Sequence, residues 1–343
     1  MNQREITVNG PLLNRSGDIA EPGYAKRPLQ EYRRADIKAG KARIKEWDYY
    51  LISNGRFAVA LTVADNGYMG FDSVSLLNFE EGWEKTVSRM SLMPMGKRKL
   101  PESSAAGDIS VRGKSHAISF THEDGRRVLR FRMDNFLDGF PATGRIILSD
   151  EPEDSMVVAT PFNKAGHFYY NQKINCIRAQ GYVAAGGKAF SFSPDTAFAV
   201  LDWGRGVWTY ENTWYWSSAS GVLDGVPFGW NLGYGFGDTS AATENMLFYN
   251  GKAHKLSRVS FGIPRRGRQY DYMAPWTFSS DDGRFEMSFV PILDRASRSN
   301  LLILKSDQHQ VFGRFTGSAV LDDGTRLTVK DFHGFAERVE NRW

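Results

Sequence analysis

YYLISNGRFAVALTV, residues 49–63, places Asn54-Gly55 between two apolar runs of strand-like composition. Asn or Asp followed by Gly tolerates positive φ at both centres of a two-residue turn, and such turns match the twist of paired strands. The segment predicts a β-hairpin. The same signal recurs around Asp124-Gly125 in AISFTHEDGRRVLRFRM (117–133) and Asn250-Gly251 in MLFYNGKAHKLSRVSF (246–261). It recurs again around Asp282-Gly283 in WTFSSDDGRFEMSFV (276–290) and Asp323-Gly324 in SAVLDDGTRLTVKDF (318–332). Hairpins spread along the whole chain predict an all-β protein built from antiparallel barrels or barrel-like sandwiches. Helical periodicity is scarce, and only 84–93 and 240–247 suggest short helices. Residues 91–108 predict a long exposed loop.

A chain of 343 residues suits two domains, at about 100–200 residues each. An internal echo supports this. WDYY begins at Trp47 and GYMGF at Gly67; WYWS begins at Trp214 and GYGFG at Gly233. Each half thus sets a Trp-x-aromatic strand ahead of a Gly-Tyr strand, as two similar β units would. The expected organisation is an extension packing on the surface over 1–40, a first β domain over 41–175 and a second over 176–343.

Hydrophobic residues at 41% and charged residues at 24% describe an ordinary globular chain. The net charge of +4 is too small and too dispersed for a dedicated nucleic-acid binder. Basic residues gather between Lys26 and Lys45, where they either form a solvated face or touch an anionic membrane surface. The single cysteine, Cys176, excludes an internal disulfide and suits a reducing compartment. The start MNQREITVNG lacks an apolar signal core, so the expected location is cytoplasmic.

The segment PFGWNLGYGFGD (227–238) separates by parity. Phe228, Trp230, Leu232, Tyr234 and Phe236 share one face; Gly229, Asn231, Gly233, Gly235 and Gly237 share the other. Glycine weakens a strand by roughly 0.5–1 kcal/mol, so a bare face needs a cause. It either lets a sheet coil into a barrel or leaves room for a ligand or facing side chains. DWGRGVWTYENTWYWSS (202–218) holds Trp203, Trp208, Trp214 and Trp216. Asp202 is expected at a strand end and Arg205 in a glycine-flanked turn, either as an ion pair locking a corner or as polar groups of an apolar pocket. In GHFYYNQKIN (166–175), His167, Tyr169, Asn171, Lys173 and Asn175 share a polar face, which is either solvated, the ordinary outcome, or lines a wet cavity. The candidate ligand-binding set is Trp203, Arg205, Trp208, Trp214, Trp216, Tyr234, Asn171 and Lys173, with Asp202 the candidate catalytic acid.

Phosphate-loop, dinucleotide-binding and Gly-x-Ser-x-Gly patterns are missing. The six histidines show no zinc spacing, so neither metal nor cofactor is expected. Cys176, in INCIR, reads as an inert interior position, and His309, in SDQHQVFGRF, as a strand residue. Asp238, Thr239, Glu244 and Asn245 read as a helix cap with its first turn.

The words GYAKRPLQEYRR, RIKEWDYY, ALTVADNGYMGF, FYYNQKINC, DWGRGVW, WYWSSASG, GYGFGDTSAATEN, YMAPWTF and SDQHQVFGRFTG together resemble the domain of unknown function 2804 family. The resemblance runs from about residue 12 to the terminal ENRW. That family is distantly similar to tandem lipocalin-like proteins, among them carotenoid 1,2-hydratases and tocopherol cyclase. The resemblance implies two calycin-type barrels in tandem and an apolar substrate protonated by a carboxylate near a Trp-Gly pair. Asp202, before Trp203-Gly204, is the nearest counterpart, at a spacing that departs from the hydratase pattern. The expected function is therefore binding of a lipid- or isoprenoid-class molecule in a barrel cavity. The alternatives are acid-catalysed hydration, cyclisation or isomerisation of such a molecule, and a non-catalytic structural role.

Overall fold

The computed structural model describes residues 3–301 and 304–342; Met1, Asn2 and the Trp343 of ENRW lie outside them. The expected hairpins form. Asp124-Gly125 and Asn250-Gly251 have both residues at positive φ (49° and 72°, 49° and 77°). Asp138-Gly139 and Asp224-Gly225, not singled out above, do the same (51° and 80°, 50° and 82°). At Asn54 the turn slides by one residue. Gly55 takes the positive φ of 78°, and the Asn54 carboxamide accepts from the Arg56 and Phe57 N–H groups, both at 3.0 Å.

The first twelve long strands build one sheet. They are β1 (Ile44–Ser53), β2 (Phe57–Asp65), β3 (Met69–Asn78), β4 (Trp83–Leu92), β5 (Ile109–Arg112), β6 (His116–Glu123), β7 (Arg126–Leu137), β8 (Phe140–Ser149), β9 (Met156–Pro161), β10 (Phe168–Ala185), β11 (Lys188–Phe192) and β12 (Phe198–Val207). The order across the sheet is β4-β3-β2-β1-β12-β10-β8-β7-β6-β5, with β9 and β11 also on the long β10. A second sheet follows from β13 (Glu211–Leu223), β14 (Val226–Tyr234), β15 (Met246–Tyr249), β16 (Lys252–Lys255), β17 (Val259–Gly262), β18 (Trp276–Ser280), β19 (Phe285–Leu301), β20 (Leu304–Val320) and β21 (Arg326–Arg342). Its order is β16-β15-β14-β13-β21-β20-β19-β18-β17.

Both sheets obey one plan: a four-strand meander whose first strand pairs with the last strand of its unit. The echo of Trp47 in β1 and Trp214 in β13 marks the equivalent first strands. Each sheet curls until its edges meet through side chains rather than a ladder. Arg89 of β4 reaches Ser115 and the Asp134 carbonyl at 2.9 and 3.2 Å; the Tyr234 hydroxyl accepts from the Phe261 N–H at 3.3 Å.

The sheets change over between Val207 and Glu211, so β10, which spans the expected division at 175/176, lies wholly in the first sheet with β11 and β12. Cys176 sits in a bulge of β10, at φ 61° between Ile174 and Ile177. That bulge lets β10 serve different partners along its length. The first forty residues do not simply lie on the surface. Leu12, Leu13, Ile19 and Tyr32 are part of the first core, and Gly23–Ala25 pairs with β9. The helices expected at 84–93 and 240–247 are absent: the former is β4, and the latter is a loop leading into β15. Pairing with β3 overrides the local pattern of β4. The only helical turns among the described residues are of 3-10 type, at 34–36 and 41–43. No described helix is long and apolar enough to cross a membrane.

Strands between the two sheets bury both faces, which explains their unbroken apolar runs. In β1, Tyr50 and Ile52 enter the first core, whereas Tyr49 and Leu51 enter a layer shared with the second sheet. The glycine strand has the same logic. Phe228, Trp230 and Leu232 fill the second core. On the bare face, a Cβ at Gly229 would stand 2.3 Å from the Ala219 carbonyl and 2.8 Å from Cys176 Sγ; one at Gly233 would stand 2.4 Å from Glu244 Oε1. The glycines admit the first sheet and Glu244. Alternation breaks at Gly235, φ 91°, which releases Phe236 into the layer between sheets.

Candidate functional site

A cavity of about 840 Å³ opens between the two sheets, not inside either barrel. Large aromatic side chains fill the barrel interiors. Trp203 fills the first, edge-on to Tyr32 and Tyr170; Trp230 fills the second against Phe285, Phe315 and Phe332. Twisted sheets meeting convex face to convex face leave a hollow where they diverge, and the cavity occupies it. Its volume is in the range of about 300–1,000 Å³ usual for small-molecule sites.

One wall is aromatic. Trp47 lies parallel to Tyr169 at 6.1 Å and meets Trp208 edge-on at 5.1 Å. Phe236 packs against Trp208 and Trp214 at 4.9 and 5.4 Å. Gly204 makes this possible, because a Cβ there would stand 1.9 Å from the Trp47 indole.

The polar groups form two sets related by the repeat. In the first sheet Asp202 of β12 is cross-strand to Tyr49 of β1 and to Lys173 of β10. In the second, Glu337 of β21 is cross-strand to Trp216 of β13 and to Gln310 of β20. Tyr49 and Trp216 each stand two residues beyond the repeated tryptophans, so Asp202 and Glu337 occupy equivalent positions. All six side chains line the cavity.

Their partners differ. Asp202 Oδ1 is paired with Lys173 Nζ at 3.0 Å and accepts from Asn171 at 2.6 Å. The ammonium also donates to Asn171 at 3.0 Å, lies 4.4 Å from the Trp216 ring and is 4.0 Å from Glu244. Glu337 is in no such ion pair; Arg295, which also lines the cavity, and Lys173 act on it only through their charge. Glu337 accepts from Trp214 Nε1 at 2.9 Å and Gln310 Nε2 at 3.0 Å. Burial pushes its carboxyl up to about 7, against the opposing pull of the Trp214 hydrogen bond and of the Arg295 and Lys173 charges. The Gln310 carbonyl oxygen is buried without a partner, so a half-turn of that amide gives a protonated Glu337 an acceptor. Burial also raises the Glu244 carboxyl, with Lys173 opposing. Asn231, the polar member of the glycine face, accepts from Trp216 Nε1 at 2.7 Å and donates to the Glu244 carbonyl at 2.8 Å.

The structure brings Asp202, Lys173, Trp208, Trp214 and Trp216 together at this cavity, with Asn171 bonded to Asp202 and Lys173. It sends three expected residues elsewhere. The segment around Arg205 is not a turn, because β12 runs unbroken to Val207, and strand alternation turns Trp203 and Arg205 away from Asp202. Arg205 is fully buried, pairs with Asp48 at 3.0 Å and lies 4.2 Å from the Trp203 ring. Tyr234 stacks on Tyr215 at 4.5 Å. The polar face of 169–173 is buried rather than solvated. Glu244 belongs to a loop, not to a helix. His309 is a strand residue, bonded to Asp294 at 2.6 Å, and burial raises the Cys176 thiol to about 12. Among the described residues no group of three or more His, Cys, Asp or Glu converges as a metal site requires. Glu337 escaped the sequence reading because no motif surrounds it. Only the repeat, followed through strand register, points to it.

Two curled antiparallel sheets of one topology form a tandem lipocalin-like fold, with an aromatic, carboxyl-bearing cavity between them. Two crystal structures share this architecture. A provisionally named AttH protein from Nitrosomonas europaea superimposes with a TM-score of 0.54 at 14% identity, over 91% of this chain and 97% of its own. Kievitone hydratase from Nectria haematococca does so with a TM-score of 0.54 at 11% identity, over 97% of this chain and 98% of its own. Among curated protein sequences nothing matches. The chain belongs to the family described as domain of unknown function (DUF2804), which it matches over residues 3–343.

Proposed function

We propose that the cavity between the sheets takes an apolar or amphipathic molecule of the lipid or isoprenoid class and adds water across one of its double bonds. The observation that carries this reading is Glu337: a buried carboxyl, held protonated up to about pH 7, that faces an aromatic hollow. A general acid works best with a pKa near the working pH. The Glu337 O–H delivers its proton to one alkene carbon, and the other becomes cationic. The indole faces of Trp47, Trp208, Trp214 and Trp216 and the Asp202 carboxylate stabilise that charge. Water adds to the cation, and the proton it loses returns to the Glu337 carboxylate. Lys173 holds Asp202 in place and keeps a second negative charge from standing uncompensated beside Glu337. The kinship in fold with a hydratase supports the class by analogy only. A hollow of this size disfavours a purely structural role.

The test is incubation with farnesol, as an isoprenoid probe, in 18O-labelled water at pH 6. The expected product is a water adduct carrying the label, absent with Glu337→Gln. Farnesol that binds, quenching the wall tryptophans, yet returns unchanged from the wild type would make the protein a carrier.

A further inference from the structure

The cavity face of β4 continues past the cavity. Glu84, Thr86 and Ser88 line it, and alternation places Met90 and Leu92 on the same face, 72% and 87% exposed. Met90 is cross-strand to Phe71, itself a cavity residue, so the exposed apolar lip adjoins the rim of the hollow. Met93, 52% exposed, extends this lip.

The lip is built, not frayed. The Met93 and Met95 N–H groups donate to the Tyr68 and Gly67 carbonyls at 2.8 and 2.9 Å, and Gly96 N–H donates to Asp65 at 2.9 Å. Arg98 pairs with buried Asp72, and Pro94 and Leu100 are buried. Met93, Met95 and Lys99 hold left-handed backbone, φ 53°, 52° and 51°. Side-chain-bearing residues rarely adopt it, and where they do the strain tends to mark function. Here it presents Met93 to solvent.

Charge surrounds the lip. Lys97 and Lys99 are exposed beside it. A Cβ on Gly96 would touch the Arg34 guanidinium at 2.6 Å, and one on Gly67 the Ala42 carbonyl at 2.4 Å. These contacts bring the basic amino-terminal segment, with exposed Lys41 and Arg43, to the same end.

We propose that this lip is a membrane-docking surface that seats the cavity mouth on an anionic lipid bilayer. Met90, Leu92 and Met93 enter the interfacial zone while Lys41, Arg43, Lys97 and Lys99 meet the headgroups. Exposed apolar groups beside a cluster of basic residues that outnumbers the neighbouring Glu102 suit an anionic bilayer surface. The excess of basic residues disfavours pairing this face with its copy in a second chain. The docking stands apart from the chemistry; its use, to draw an apolar substrate from the bilayer, rests on the function proposed above.

Co-sedimentation tests it, with vesicles of phosphatidylcholine alone and of phosphatidylcholine with phosphatidylglycerol. The wild type is expected to bind the mixed vesicles and to release them as salt rises. Each lysine near a charged surface is worth about fivefold, so Lys97→Gln with Lys99→Gln weakens binding roughly 25-fold. Met90→Ser with Leu92→Ser abolishes it. Both double variants retain the wild-type circular dichroism and farnesol quenching. Failure of the wild type to bind mixed vesicles, or equal binding by the variants, overturns the proposal. So does a dimer in analytical ultracentrifugation that the Met90/Leu92 variant dissolves. Vesicle binding that persists in Glu337→Gln without turnover in the wild type leaves docking standing and the hydration chemistry refuted.

Discussion

Glu337 and Asp202 occupy equivalent positions with different partners: an indole and an amide donate to Glu337, whereas Asp202 is ion-paired with Lys173. The folded protein holds Glu337 near 7 against an ordinary 4.5. A carboxyl raised on folding contributes stability that is full below its unfolded value and lost as pH climbs through its folded value. Stability therefore drains between about pH 4.5 and 7, by about 3 kcal/mol at most. Glu337→Gln lacks this titration, so its melting temperature should gain on the wild type from pH 5 to pH 8. Turnover should fall by about 10²–10⁴ in that variant, and in the wild type as pH passes about 7. A melting-temperature difference that stays flat with pH would contradict the assignment. Asp202→Asn has the opposite sign. It strips Lys173 of its nearest anion, and breaking a buried pair costs about 3–5 kcal/mol. Glu244 at 4.0 Å softens this toward the lower figure, measurable by urea unfolding.

At the scale of elements, glycines set how closely strands approach. Gly229→Ala meets the Ala219 backbone carbonyl, whereas Gly233→Ala meets the far end of the Glu244 side chain. The first should cost about 1–3 kcal/mol and the second less. Thermal melts that reverse this order would contradict the close-approach account. Gly204→Ala should push the Trp47 indole into the cavity and weaken farnesol quenching more than it lowers stability. These elements were unevenly legible. Turn chemistry disclosed the hairpins, because Asn-Gly and Asp-Gly act locally. The bulky face of 227–234 was equally plain. The meaning of its bare face was not, since Cys176 and Glu244 arrive from distant segments. Arg205 looked like a turn residue because Gly204 and Gly206 flank it, yet those glycines make room for Trp47 and the Phe168 carbonyl within a strand. Lys173 and Asn171 looked solvated because nothing local reveals that a second sheet covers them.

In the whole molecule, one topology used twice creates a cavity that neither copy contains. Both barrels are closed to ligand by Trp203 and Trp230, and the site arises where equivalent strands of the two sheets face each other. Trp230→Ala should therefore cost about 3–5 kcal/mol of stability while leaving farnesol quenching intact in the folded fraction. The repeat was visible in the sequence as the Trp47 and Trp214 echo. Its consequence, paired carboxyls at Asp202 and Glu337, needed the register of the last strand in each sheet. The most direct measurement is a carbon-13 carboxyl titration by NMR in glutamate-labelled protein, with Glu337→Gln identifying the resonance. The account predicts a midpoint near 7 and a displaced signal when farnesol enters the cavity. A midpoint near 4.5 that ignores farnesol would contradict it.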